Sequence, residues 1–118
     1  MSPNISVLLV EDEVLVRMDI ADSLAESGFD VLEAGSADEA ILETNDAIRL
    51  IITDIDMPGS MDGLKLAAAV RDRWPPIRII VTSGNRIVEI TDLPDGSVFF
   101  AKPYQSSQLV ASMHQLLA

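Results

Sequence analysis

The 118-residue chain contains no cysteine, which excludes disulfide staples and thiolate metal sites and leaves the redox compartment open. No apolar run approaches the length needed to cross a bilayer. The opening Met1-Ser2-Pro3-Asn4 has no basic residue ahead of its short apolar run, so a secretory leader is not expected either. Bases are scarce, with eight Lys and Arg against 19 Asp and Glu and a net charge of −11. Neutralising phosphates requires a basic surface, so direct nucleic-acid binding is not expected. Internal repeats and linker-like stretches are absent as well.

What remains is a hydrophobic content of 48% with slightly positive mean hydropathy, the composition of a compact globular protein. A chain of this length buries roughly two-thirds of its unfolded surface, enough for a core without staples. Residues 1–118 are therefore read as one domain, cytoplasmic by default. The acidity provides a self-repelling, soluble surface. It also leaves acids available to gather around a cation.

Residues 5–10 (Ile-Ser-Val-Leu-Leu-Val) read as a short buried strand. Residues 13–27 carry Val14, Leu15, Met18, Ile20, Ala21 and Leu24 at approximate helical spacing, ended by Gly28. A second strand is expected over 29–33. A helix over 37–45 starts with the capping box Ser36 and Glu39. A third strand covers 49–53 and a third helix 63–72, stopped near Trp74-Pro75-Pro76. Strands follow at 77–81 and 97–101, and a closing helix at 106–117. Between Gly84 and Gly96 the chain is short, β-branched and broken by Pro94, so one or two helical turns and then irregular chain are expected. Strand and helix alternate throughout. That pattern calls for an α/β fold with a parallel sheet covered on both faces. Right-handed crossovers leave a small number of topologies, led by a doubly wound five-stranded flavodoxin-like sheet in the order 2-1-3-4-5, with a short or irregular fourth helix.

In such a sheet the carboxyl ends of the strands share one edge, where open α/β folds place their chemistry. Glu11-Asp12, Asp54, Thr82-Ser83 and Lys102 all fall there. Taken singly, each has an ordinary explanation. Glu11-Asp12 can be a helix-start acid pair, Asp54 and Asp56 turn residues, Thr82 one more β-branched strand residue, and Lys102 a solvated cation. Taken together they crowd Glu11, Asp12, Asp54 and Asp56, and like charges so close oppose folding unless a cation intervenes. Hard oxygens suit Mg²⁺, and Lys102 and Thr82 add a point charge and a hydroxyl donor suited to phosphoryl oxygens. A carboxylate nucleophile, a divalent cation, a lysine and a hydroxyl describe phosphoryl transfer to an aspartate, with Asp54 central.

With Val10-Glu11-Asp12-Glu13, Asp54, Met57-Pro58, Met61-Asp62-Gly63, Thr82-Ser83 and Lys102-Pro103 in order, the chain resembles the receiver domains of two-component response regulators over essentially its whole length. The resemblance implies that Asp54 accepts phosphate from a phosphohistidine on a sensor histidine kinase or histidine phosphotransfer protein. It implies Mg²⁺ (or Mn²⁺) held by Asp12, assisted by Glu11, with Asp54 and the backbone carbonyl of Asp56. Lys102 would contact the phosphoryl group, Thr82 would swing in to bond it, and Phe99 would take the aromatic switch position. Asp56 and Gly84 fall where family members tune dephosphorylation. The implied protein is a phosphoacceptor rather than an enzyme with a separate substrate, monomeric or weakly dimeric on phosphorylation, with no nucleic-acid or membrane partner. Its readout would be the surface of residues 87–90, the fifth strand and the last helix.

Two departures stand out. Gly59 and Ser60 both intervene between Met-Pro and Met-Asp-Gly, where the family usually has one residue, a feature of a receiver subset. The weak fourth helix puts dimerisation through that helix in doubt. Among rivals, a haloacid-dehalogenase-like phosphatase shares Asp54-Ile55-Asp56 but has its motif on the first strand. A phosphorylation-independent scaffold draws on Glu11 in place of the commoner Asp. A flavodoxin-like FMN site fails, because Glu11-Asp12-Glu13 would repel a phosphate.

Overall fold

A computed structural model describes residues 4–57, 62–84 and 90–118. Residues 58–61 of the loop after Met57, and residues 87–89 of the expected readout surface (with 85 and 86 before them), lie outside the described residues. Strands β1 (Ser6–Val10), β2 (Asp30–Ala34), β3 (Ile48–Asp54), β4 (Arg78–Ser83) and β5 (Val98–Ala101) form one parallel sheet in the order β2-β1-β3-β4-β5. Helices α1 (Val14–Glu26), α2 (Ala37–Glu43), α3 (Gly63–Arg73) and α4 (Ser106–Leu117) cover it. This is the flavodoxin-like order expected from the alternation.

Side chains alternate across each strand and so feed two cores. Leu8, Val10, Ile51, Ile79 and Val81 pack with Ala37 and Ala40 of α2 and Leu66, Ala67 and Val70 of α3. Val7, Leu9, Leu50, Ile52 and Ile80 pack with Ile20 and Leu24 of α1 and Leu109 and Met113 of α4. The central strands therefore read as apolar runs because both of their faces are buried.

The strands run further toward the functional edge than the sequence suggests. The third, expected over 49–53, includes Asp54, and the fourth, expected over 77–81, continues to Ser83. Backbone pairing explains this, since Asp54 is in register with Thr82 and Ser83 with Ala101. The capping box also differs in its return bond. Glu39 N–H donates to Ser36 Oγ (3.1 Å), but the Glu39 carboxylate accepts from Gly35 N–H (3.2 Å) rather than from Ser36. Gly28 follows α1 at φ +95, the left-handed conformation a helix C-terminus favours. In the expected weak fourth helix, one 3₁₀ turn spans Ile90–Asp92. Among the described residues no helix is long and apolar enough to cross a membrane.

Candidate functional site

Four strands deliver their last residues to one edge. Val10 is in register with Thr53, Asp54 with Thr82, and Ser83 with Ala101. Glu11, Asp54, Thr82 and Lys102 thus become neighbours although up to 91 residues separate them. Thr53 is fully buried beneath them, and Glu11, Asp54, Thr82 and Ser83 are all buried polar residues in an otherwise apolar sheet.

Lys102 Nζ donates to Glu11 Oε1 at 2.6 Å and to Asp54 Oδ2 at 2.8 Å. The other Asp54 oxygen, Oδ1, accepts from the backbone N–H of Asp56 at 3.0 Å. Asp54 is therefore fixed on both oxygens, by a cation on one side and by a turn amide on the other. The backbone beneath it is fixed by close packing: Gly63, at the start of α3, lies so near that a Cβ there would sit 2.1 Å from the Asp54 carbonyl oxygen. Glycine at 63 permits this approach. The helix itself is capped by Asp62, whose Oδ1 accepts from Lys65 N–H at 2.9 Å.

Burial pushes the Glu11 carboxyl up to about 7, the hydrogen bond from Lys102 opposing that rise and the Asp54 charge adding to it. Lys102 is pulled the other way by burial, but hydrogen bonds and charge from Asp54 and Glu11 win, so its ammonium is held more firmly than usual. Burial raises the Tyr104 phenol to about 12, keeping it protonated beside the site.

Carboxylate oxygens of Glu11, Asp12 and Asp54 lie within 4.8 Å of one another. Glu11 Oε2 is buried and has no hydrogen-bond partner. An orphaned, buried carboxylate oxygen in a cluster of hard donors fits a divalent cation such as Mg²⁺. The cluster opens on a cavity of about 500 Å³ whose lining includes Asp12, Asp54, Asp56, Gly84, Lys102 and Tyr104. That volume leaves room for a phosphoryl group.

The structure gathers Glu11, Asp12, Asp54, Thr82 and Lys102 as the spacing required. The Asp56 carboxylate departs from the expected acid cluster: its Oδ2 accepts from Ser83 Oγ at 2.7 Å, so the side chain is engaged across the β3–β4 edge. Phe99 is half-buried against the α2–α3 core. Gly84 is exposed at the rim. Sequence reading missed Ser83 as a partner for Asp56, Tyr104 as a wall of the cavity, and Arg17, whose Nη1 donates to the Glu11 carbonyl at 2.7 Å. It also missed Asp62 as the cap of α3, although an Asp directly ahead of a helical run is a cap signal.

The sequence profile of the response regulator receiver domain family matches residues 7–114. Among curated proteins, the transcriptional regulatory protein PdtaR of Mycobacterium tuberculosis is 33% identical over 91% of this chain, a match that spans 54% of PdtaR. The sensor kinase CckA of Brucella abortus is 33% identical over 99% of this chain and 13% of its own length. The chain thus spans about half, or much less, of these relatives. Among solved structures, a response regulator receiver protein from Sinorhizobium medicae superposes with a TM-score of 0.87 at 31% identity, covering 97% of this chain and 94% of that one. The receiver domain of NtrX from Brucella abortus gives 0.85 at 30% identity, covering 94% and 97%.

Proposed function

This chain belongs to the response regulator receiver domain family, and we propose that it accepts a phosphoryl group on Asp54 from a phosphohistidine of a sensor histidine kinase or histidine phosphotransfer protein. One Asp54 oxygen attacks phosphorus, the P–N bond to the imidazole breaks, and its electron pair leaves with the ring nitrogen. The observation that carries this reading is the setting of Asp54, buried at the floor of the cavity between Lys102 Nζ at 2.8 Å and the Asp56 amide at 3.0 Å. Lys102 already pairs with both buried carboxylates, so it can follow the charge onto the incoming phosphoryl oxygens. Asp12, Asp54 and the Asp56 carbonyl, with Glu11 assisting, would hold Mg²⁺ (or Mn²⁺), which would supply neutralisation of the phosphoryl charge.

Asp54 and Thr82 are paired residues of adjacent strands, so an aspartyl phosphate lies within reach of the Thr82 hydroxyl. Turning of Thr82 and repacking of Phe99, which has only van der Waals contacts to offer, then shift the fifth strand and its neighbours. The chain acts as one receiver unit over 1–118, a phosphoacceptor rather than an enzyme with a separate substrate. It is cytoplasmic, monomeric or weakly dimeric on phosphorylation, and of the subset with the lengthened Met-Pro-Gly-Ser-Met-Asp-Gly loop. Val14, Leu15 and Met18 are exposed on α1 beside the cavity, an apolar contact for the donor protein.

The test is amide NMR with Mg²⁺ and beryllium fluoride, a phosphoryl mimic. Resonances around Asp54, Thr82 and Phe99 should shift in the wild type and stay still in Asp54→Asn. A silent wild type would overturn phosphoacceptance and favour a phosphorylation-independent scaffold.

A further inference from the structure

We infer that Arg17 is a positioning residue for the cation site, holding the turn after β1 so that Glu11 and Asp12 meet Asp54 in a geometry a divalent ion can use. The inference rests on the Mg²⁺-dependent reading above and adds to it a residue that touches neither cation nor phosphoryl group.

The turn needs such a hold. Helix α1 starts at Val14 with Glu13 at its N-cap, and no side-chain cap bond closes it; its first turn carries no acid. The usual device for fixing a helix start is therefore missing. The Glu11 amide is tied to β2, donating to the Ala34 carbonyl at 3.0 Å. The Glu11 carbonyl is tied by Arg17 Nη1 at 2.7 Å, and the Nε of the same guanidinium meets Glu33 Oε1 at 3.3 Å. One planar group thus joins the first turn of α1, the turn after β1 and the end of β2, a fork that a lysine point charge cannot reproduce. The Arg17 side chain is only 19% exposed. Space for it comes from Gly35, where a Cβ would fall 3.1 Å from Nη1.

Charge alone opposes this role. A guanidinium beside the turn repels a divalent cation, so deleting its charge should tighten Mg²⁺ binding. Positioning predicts the opposite sign, and that difference makes the proposal testable.

Mg²⁺ titrations followed by amide shifts of residues 10–14 and 54, with melting temperatures recorded alongside, would compare wild type with R17M, E33Q and G35A. R17M should weaken Mg²⁺ affinity about tenfold, as loss of an outer-shell support does. E33Q keeps the carbonyl contact and should change affinity less than about twofold, well below that outer-shell range. G35A keeps every charge but crowds the guanidinium, and should weaken binding in the same direction as R17M; it also answers the question should R17M not fold. R17M and G35A that bind Mg²⁺ as tightly as wild type, whatever their melting temperatures, would reduce Arg17 to a structural role. Tighter binding by R17M would show that its charge, and not its geometry, is what the site feels. A wild type that does not bind Mg²⁺ would remove the site reading and this proposal together.

Discussion

Strands β3 and β5 flank β4 in the same sheet and end at the same edge, yet they are built differently. β3 has seven residues, six of them buried, with β1 and β4 on its sides and helices on both faces. β5 has four residues, none of them buried, at the edge of the sheet. Asp54 ends the first and Lys102 follows the second. The difference shows how one fold can hold chemistry still while letting its consequences move. The Asp54 carboxylate stands on the well-buried part of the sheet, and the lysine and Phe99 stand where fewer buried contacts resist displacement.

The largest effect should come from crowding the frame under Asp54. Gly63→Ala drives a Cβ to 2.1 Å from the Asp54 carbonyl oxygen and 2.7 Å from Ile55 Cα, both backbone atoms that no rotamer can clear. A loss of roughly 3–5 kcal/mol is expected, read from urea unfolding. Tolerance of alanine there would mean that the central frame gives way as easily as the edge. A cavity-forming pair sharpens the contrast. Ile52→Ala in β3, where Ile52 is 1% exposed, should cost about 3 kcal/mol. Phe99→Ala in half-buried β5 removes a larger side chain and should still cost only about 1–2 kcal/mol. Equal losses would erase the distinction between the two strands.

The same contrast governs what could be read from the sequence. The central strands announce themselves as apolar runs, because burial on both faces leaves no polar position, and the polar residue ending each run marks the edge. Alternation of elements and right-handed crossovers narrowed the strand order to a few candidates, of which the leading one is observed. Strand ends were less legible, since polar Thr82 and Ser83 close an apolar run and their membership of the strand shows only when Phe100 and Ala101 are seen beside them. Contacts that use a backbone acceptor were also invisible: nothing in the pattern says that Arg17 reaches the Glu11 carbonyl. Ser83 and Asp56 lie 27 residues apart and have no spacing signature. On the β5 side the strand over 97–101, Lys102 after it and the helix over 106–117 were legible despite the lighter burial, because their apolar spacing and flanking turns suffice to mark them.

Acidity offers a third comparison, between the site and its support. Burial raises Glu11 from an ordinary carboxyl value to about 7, so the folded state holds this proton more tightly than the unfolded chain does. Between about pH 4.5 and 7 the native protein therefore carries more protons, and metal-free stability should fall as pH rises through that window, by at most about 3 kcal/mol. Lys102 stays charged throughout and adds no slope there. Mg²⁺ needs the deprotonated ligands, so its stabilisation should grow over the same range and flatten the profile. Thermal melts from pH 4.5 to 8, with and without Mg²⁺, check both signs. A flat metal-free profile would show that Lys102 fully offsets the burial of Glu11, and a gain in stability toward pH 7 would show that it holds the Glu11 carboxyl below its ordinary value.

The smallest effect is expected at the rim. Gly84 is exposed and has no positive φ, and a Cβ there would meet only Lys102 Cβ at 3.5 Å and Cδ at 3.7 Å. Those are ordinary contacts on a flexible stem. Gly84→Ala should therefore stay within about 0.5 kcal/mol of wild type in urea unfolding. The new methyl nevertheless lies against the stem of the lysine that neutralises the site, so the lifetime of the aspartyl phosphate should change while stability does not. Such a split between lifetime and stability is what a loosely packed rim on a rigid floor requires. A loss above about 1 kcal/mol would instead place Gly84 in packing as tight as that around Gly63, and the edge would no longer be the compliant side of the site.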